Sequence, residues 1–131
     1  MTKKSKLLIG IAVIFIILVI CIVFIINKSS DNSLTKNIQI LVYDEKKILL
    51  YDEKKQTEKN VLIDVLKSLD DLDVKTETGA YGEYIVSIND KKQGDGYFWN
   101  YYINGQYAPM GVSSYKIKEN DVYTFELEKF E

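Results

Sequence analysis

The sequence predicts an α+β fold, a β-grasp-like sheet with one packed helix, preceded by a single N-terminal transmembrane helix. Three observations lead to this fold class. Residues 7–26 are twenty consecutive uncharged and mostly apolar residues. One amphipathic helical pattern, after Asn60, lies among segments that alternate as strands do. An aromatic stretch from Tyr97 to Val112 is interrupted by Asn104-Gly105, a dipeptide typical of tight hairpins.

Residues 7–26 have the length of a membrane span, because a helix that rises about 1.5 Å per residue crosses the roughly 30 Å hydrocarbon core. Lys3, Lys4 and Lys6 precede the segment and only Lys28 follows closely, which predicts a cytoplasmic N-terminus and an extracellular remainder. The apolar core is longer than the 7–15 residues or so of a cleaved signal peptide, so an uncleaved anchor is favoured and cleavage is the alternative.

Cys21 lies inside the apolar segment and is the chain's only cysteine. Leu18 three residues before it is compatible with a lipoprotein signal, but Ile20 occupies a position where lipidation requires a small residue. A small apolar residue within a membrane helix is the preferred interpretation of Cys21, and lipidation is the alternative. The extracellular part therefore has no disulfide and depends on its core for stability.

These observations predict four parts: a basic cytoplasmic N-terminus at 1–6, the transmembrane helix at 7–26, a flexible tether at 27–37, and an extracellular domain at 38–131. The tether is short, polar and rich in Ser and Asn. Residues 27–131 contain 14 of the 17 basic residues and all 19 acidic ones, which gives a net charge of −5. This charge makes a nucleic-acid partner unfavourable.

The extracellular domain begins with two strands, at 38–43 and 48–51, around a charged turn, and these predict a hairpin. Asn60 is the predicted N-cap of the helix, whose apolar face comprises Val61, Leu62, Val65, Leu66 and Leu69. Further extended segments are predicted at 72–77, 84–88, 115–117 and 122–127. The aromatic hairpin lies between the second and third of these.

Catalysis and metal binding are disfavoured by composition, because the chain has no His and its only Cys lies in the apolar segment. Three weaker patterns are present, and each is more typical of an ordinary loop. Ser113-Ser114 near Lys116 could supply a nucleophile, the oxygen atoms of residues 89, 90 and 95 could bind a hard cation, and Gly94-x-Gly96 could bind phosphate. We predict no catalytic residues, metal ligands or cofactor.

The aromatic stretch has two interpretations. Six rings fall within eleven positions, and alternation along a strand gives both faces aromatic side chains. Stacked rings provide a large contact area for a ligand, which favours a binding surface. A domain of this size without a disulfide also needs core material, so Trp99 and the tyrosines could form the hydrophobic core instead.

Five blocks of sequence resemble the transcobalamin-like C-terminal domain, the small β-rich domain of intrinsic factor and transcobalamin, which also occurs as an extracellular module of Gram-positive surface proteins. The resemblance covers about residues 37–131. Its blocks are 60–66, 81–89, 97–105, Gly111-Val112-x-x-Tyr115-x-Ile117, and Asp121-x-x-x-Phe125.

The resemblance implies a domain that contacts a corrinoid held against a separate helical domain. Carried over by position, the implied ligand-binding residues are Trp99, Asn100, Tyr101, Asn104, Gly111, Val112 and Tyr115. This chain has neither a helical barrel domain nor a His to coordinate cobalt, so the fold transfers more directly than the ligand does.

Together these observations predict a single-pass plasma-membrane protein whose extracellular domain is a non-catalytic binding module. Its expected ligand is a corrinoid or another ring-bearing small molecule, passed on to a membrane transporter. The alternative is an interaction domain that docks on a membrane complex or a cell-wall component through its sheet edge or aromatic hairpin.

Overall fold

The computed structural model describes residues 2–29 and 34–130, and it divides the chain into two units that meet after Leu34. The first unit contains helix α1, Lys3–Ser29. Within it, Lys3–Phe24 is long and apolar enough to cross a membrane. This confirms the predicted apolar helix. Of the predicted tether, residues 30–33 lie outside the described residues.

The second unit is an α+β domain built on a five-stranded mixed sheet. The strand order is β2-β1-β8-β6-β7, with β1 at Lys36–Tyr43, β2 at Leu49–Thr57, β6 at Tyr97–Ile103, β7 at Gln106–Tyr107 and β8 at Val122–Lys129. Strands β1 and β2 form the predicted antiparallel hairpin. Strand β8 lies parallel to β1 and antiparallel to β6. A hairpin followed by a helix and a central strand parallel to the first strand is the β-grasp arrangement, so the predicted fold class is confirmed.

A second, three-stranded antiparallel sheet contains β3 at Val74–Gly79, β4 at Gly82–Ile88 and β5 at Lys91–Lys92. Ile85 and Ile88 of β4 belong to the same hydrophobic core as the large sheet. The small sheet therefore packs close to strand β6, which carries most of the aromatic side chains.

Helix α2, Leu62–Ser68, begins one residue later than predicted, and Asn60 is not its N-cap. Val61 occupies that position and makes no side-chain capping hydrogen bond. The first helical N–H groups are satisfied by the main chain instead. Leu62 N donates to Tyr115 O at 3.0 Å, and Ile63 N donates to Val112 O at 3.0 Å. A capping side chain is unnecessary where loop carbonyls already accept these bonds.

The core lies between α2 and the two sheets. The largest fully buried side chains belong to all three elements and include Tyr123, Phe125, Ile40, Leu62, Leu66 and Ile88. The predicted segment 115–117 is not a strand. It makes a single bridge, between Lys116 and Val61, because its carbonyl and amide groups bond the start of α2 rather than a sheet.

The Asn104-Gly105 turn has the predicted hairpin geometry. Both residues have positive φ, 52° for Asn104 and 81° for Gly105, as a two-residue turn between twisted strands requires. The hairpin is short on its second side, because only Gln106 and Tyr107 pair with β6. Among the described residues, the rest of this edge of β6 has no neighbouring strand, but loop residues bond it at two points, Gly94 with Tyr97 and Ala108 N with Tyr101 O.

Candidate functional site

A groove of about 720 Å³ runs along the uncovered edge of β6. Phe98, Trp99, Asn100 and Tyr101 all line it, although the side chains of successive strand residues point to opposite faces. A groove that follows the strand edge and reaches both faces of the sheet accounts for this set. We call it the ring-lined groove because seven aromatic side chains contribute to it: Tyr84, Phe98, Trp99, Tyr101, Tyr107, Phe125 and Phe130.

The inner face of the sheet, which carries Trp99 and Tyr101, packs against the core. Trp99 is half-buried, and its Nε1 donates a hydrogen bond to Lys91 O at 2.9 Å. Tyr101 stacks on Phe125 with ring centroids 5.5 Å apart, and its hydroxyl donates to Met110 O. Trp99 and Tyr101 therefore serve both expected roles, since they pack on the core and also form the wall of an open groove.

The outer face of the sheet carries Phe98, Asn100 and Tyr102. The rings on this side are more exposed, at 43% for Phe98, 61% for Tyr107 and 74% for Phe130. Exposed rings gathered around a concave surface are typical of a ligand or partner site, whereas scattered ones are not. This exposed half is the part of the groove that the core does not require.

Glu128 is the carboxylate that lines the groove. Its Oε1 accepts a hydrogen bond from Tyr102 OH, and its Oε2 accepts one from Asn100 Nδ2 at 3.1 Å. Burial alone would raise the pKa of Glu128, but the hydrogen bonds from Tyr102, Glu126 and Asn100 hold it below its usual value. The side chain is therefore a charged acceptor held in a fixed orientation.

Tyr101, which lines the groove, and Tyr102, which lies beside it, are neutral donors. Burial raises the pKa of Tyr101 to about 12. Hydrogen bonding to Glu128, followed by burial, raises the pKa of Tyr102. Both hydroxyls therefore remain protonated at neutral pH and act as hydrogen-bond donors rather than as bases.

Five of the seven sequence-predicted site residues line the groove: Trp99, Asn100, Tyr101, Gly111 and Val112. Asn104 and Tyr115 do not line it. The sequence did not single out Glu128 or Phe130, because their proximity depends on the register of β6 against β8, in which Phe98 lies opposite Glu128.

Asn104 and Tyr115 converge on a buried carboxylate. Asp121 is only 4% exposed. Its Oδ1 accepts a hydrogen bond from Asn104 Nδ2 at 2.9 Å, and its Oδ2 accepts bonds from Tyr115 OH and Tyr123 OH, both at 2.8 Å, and from Lys118 N at 3.1 Å. We call Asp121, Asn104, Tyr115 and Tyr123 the Asp121 network. It fixes the hairpin turn to the start of β8, which is a structural task.

The loop between β4 and β5 has the geometry of a turn. Asn89 and Asp90 have positive φ, Asn89 Oδ1 accepts a hydrogen bond from Asp73 N at 2.9 Å, and Asp90 Oδ1 lies 3.7 Å from Lys75 Nζ. Over residues 2–29 and 34–130, no group of three or more Asp, Glu or Cys side chains is placed to hold a metal ion.

The Tyr115→Phe variant tests whether the Asp121 network stabilises the fold. We expect it to lower the free energy of unfolding by about 1–2 kcal/mol, because the hydroxyl that bonds Asp121 is lost. The matched Tyr107→Phe variant removes an exposed hydroxyl and is expected to stay within about 0.5 kcal/mol of the wild type. Urea unfolding followed by Trp99 fluorescence measures both values. Equal effects of the two substitutions would contradict the structural role of Tyr115.

Comparison of sequences relates the domain to a family without an assigned role. Residues 60–129 match the model of a domain of unknown function (DUF4430). The matched region extends from the start of α2 to the end of β8. No curated protein matches the chain.

Two solved structures share the fold. A protein from Ruminococcus gnavus ATCC 29149, to which metal binding is ascribed, has a TM-score of 0.67 and 19% identity, with 73% of this chain and 99% of that protein covered. Haptocorrin in complex with Cbi has a TM-score of 0.65 and 17% identity, with 74% of this chain covered. This chain spans 26% of the haptocorrin chain. The expected transcobalamin-like fold is thereby confirmed, and at these identities the likeness concerns the fold alone.

Proposed function

We propose, on the premise that this chain belongs to the DUF4430 domain family, that it is a non-catalytic binding module holding a ring-bearing small molecule in the ring-lined groove. The observation that carries the proposal is the open groove of about 720 Å³ with exposed rings on one side. Its size falls within the range of small-molecule sites, and aromatic walls are typical of them. A corrinoid is the leading candidate, since the fold is shared with haptocorrin, whose structure contains Cbi.

The groove residues support binding rather than catalysis. The chain has no His, and Tyr101 in the groove and Tyr102 beside it keep their protons at neutral pH. Glu128 already accepts two hydrogen bonds in a fixed orientation. A general acid and base pair needs two groups that exchange protons near the working pH, and this set instead provides stable donors and one stable acceptor.

The proposed module is anchored in the plasma membrane through residues 7–26, with residues 1–6 in the cytoplasm and the domain at 38–131 outside. The lysines at 3, 4 and 6 favour this orientation. The proposed tether is residues 27–37; because residues 27–29 lie in α1 and residues 36–37 in β1, the six residues between them would reach at most about 20–22 Å. A ligand captured at this distance from the membrane could be passed to a membrane transporter of a Gram-positive cell.

Docking of a protein is the second candidate function. The open part of the β6 edge, between the Gly94–Tyr97 bridge and the Ala108–Tyr101 bond, favours it, because unpaired strand edges accept an extended segment of another protein. The partner would then be a membrane complex or a cell-wall component, and small molecules would not occupy the groove.

The test is a titration of the full chain in nanodiscs with cobinamide and cobalamin, following Trp99 fluorescence and heat together. We expect saturable binding in the micromolar range. Phe98→Ala, on the exposed side of the groove, should weaken it about tenfold. Tyr81→Ala removes a ring that is 96% exposed and does not line the groove, so it should change nothing. A flat titration to about 1 mM, near −4 kcal/mol, would reject the corrinoid and favour the protein partner.

A further inference from the structure

The outer half of the ring-lined groove combines aromatic rings with a single fixed carboxylate. We propose that it binds the ammonium group of a small organic cation, held between Glu128 and the rings of Phe98, Tyr107 and Phe130. This inference rests on the proposed binding function and specifies the chemistry of the ligand. It also distinguishes the outer half of the groove from the inner half, where Trp99 and Tyr101 offer an apolar wall.

The carboxylate of Glu128 is oriented but not neutralised. The groups that hydrogen-bond it, Tyr102 OH, Asn100 Nδ2 and the Glu126 carboxyl group, carry no positive charge. Among the described residues, the five ion pairs all lie elsewhere, so Glu128 pairs with no lysine within 4.0 Å. Lys129 also borders the groove, but as the next residue in β8 it projects to the opposite face of the sheet. A fixed anion without a cation partner is complementary to a cationic ligand.

Glu126 adds a second carboxyl group to this face. It lies two residues before Glu128 on the same side of β8. Burial, a hydrogen bond to Glu128 and the charge of the Glu128 carboxylate raise the pKa of Glu126. The charge of Lys47 lowers the pKa of both carboxyl groups, although Lys47 forms an ion pair with neither of them. An ammonium group bound at Glu128 would relieve this repulsion.

The rings around Glu128 are arranged as a cation requires. Phe98 and Phe130 form an edge-to-face pair with centroids 5.5 Å apart, and Tyr102 and Tyr107 form another at 5.1 Å. In an edge-to-face pair the edge of one ring covers a single face of the other, so the remaining faces stay open. Those faces carry the negative part of the ring quadrupole and attract ammonium groups.

The groove favours a small molecule over a lysine side chain of a protein. It continues from the outer rings past the strand edge to Trp99, Tyr101 and Phe125 on the inner face. A ligand with both an ammonium group and a ring can use the two halves together. A lysine side chain would carry its charge to Glu128 and leave the inner rings unoccupied.

Two probes of similar shape, one cationic and one neutral, test the inference on the full chain in nanodiscs. Phenethylammonium and phenethyl alcohol share one skeleton, and only the first carries a charge. We expect phenethylammonium to bind at least tenfold more tightly, as measured by heat and by Trp99 fluorescence. Glu128→Gln should abolish that preference while the alcohol still binds. The matched control Glu53→Gln makes the same chemical change on β2, away from the groove, and should preserve the preference.

A second variant tests cation binding independently if Glu128→Gln disturbs the fold. Phe130→Leu removes a ring that is already largely exposed, and it should weaken phenethylammonium binding about two- to fivefold. Equal affinity for the two probes would overturn the inference and leave the groove function standing, whereas binding of neither probe would count against both. Tighter binding of a capped Ala-Lys-Ala peptide than of phenethylammonium would overturn the inference that the ammonium group belongs to a small molecule rather than to a lysine side chain of a protein.

Discussion

Asp121→Asn is expected to lower the free energy of unfolding of the second unit by about 3 kcal/mol. The substitution keeps the shape of the side chain but replaces one acceptor oxygen with a donor. If the remaining oxygen faces Tyr115 and Tyr123, the new amide group meets Asn104 Nδ2, which is also a donor. Asn104 cannot turn to resolve this clash, because its Oδ1 already accepts a hydrogen bond from Val122 N at 2.8 Å.

Urea unfolding measures this effect, because the chain's only tryptophan, Trp99, lies in the unit that contains the network. Asp52→Asn is the matched control, since Asp52 is exposed and accepts one bond from Gln39 Nε2. We expect it to change stability by no more than about 0.5 kcal/mol. If the two substitutions cost the same, the network would not be the source of the stability.

The pH dependence of the Asp121 effect has a definite sign. Burial alone would raise the pKa of Asp121, but the hydrogen bonds from Asn104, Tyr115 and Tyr123 lower it below its usual value. The pKa of an Asp carboxyl group in the unfolded chain is about 3.9. A lowered pKa in the folded state stabilises the protein above that value, and the contribution is lost as the pH falls through the folded pKa. The difference between wild type and Asp121→Asn should therefore be constant near neutral pH and shrink in acid below about pH 4.

Phe125→Ala is expected to cost about 3–5 kcal/mol, the range for large-to-small changes in a core. Phe125 is 1% exposed, occupies a central strand and stacks on Tyr101. The truncation leaves a cavity under the groove wall, so Tyr101 loses its support. Binding in the inner half of the groove should weaken together with stability.

Phe130→Ala is the control for this loss, because it removes the same ring from a position that is 74% exposed. Its cost should stay within about 1 kcal/mol. The urea midpoints of both variants measure the difference in stability, provided that the dependence of the unfolding free energy on urea concentration is unchanged. A loss below about 1 kcal/mol in Phe125→Ala would mean that the core closes over the cavity, and the groove wall would then not depend on it.

Local sequence patterns predicted the elements whose causes are local. Asn104-Gly105 predicted the hairpin turn, since positive φ at both positions is a property of those two residues. Alternation predicted β1, β4 and β8, and helical spacing predicted α2. The apolar run at 7–26 predicted the long helix α1 for the same reason.

Contacts between distant segments could not be read from these patterns. The N-cap at Asn60 was wrong because carbonyl groups more than forty residues away satisfy the helix. Strand β2 continues to Thr57 through a highly charged segment, because an edge strand tolerates charge on both faces. The groove position of Glu128 depends on its register with Phe98, and no local signal reports that register.

Contacts between distant segments also explain why five of the seven predicted site residues line the groove and two do not. Trp99 and Tyr101 were expected to serve either a core or a surface, and a strand edge allows them to do both. Asn104 and Tyr115 carry polar groups typical of a ligand site, yet those groups are used by Asp121. A polar side chain near a binding surface is identified as a ligand contact only when its hydrogen-bond partners are known.

The main-chain bonds that begin α2 connect the groove to the helix. Val112 lines the groove, and its carbonyl accepts a hydrogen bond from the amide of Ile63 in the first turn. A molecule that immobilises Val112 therefore also slows the opening of that turn. Amide hydrogen exchange at Ile63 would report occupancy of the groove from a residue that no ligand touches, and it would do so for a ligand without any optical signal.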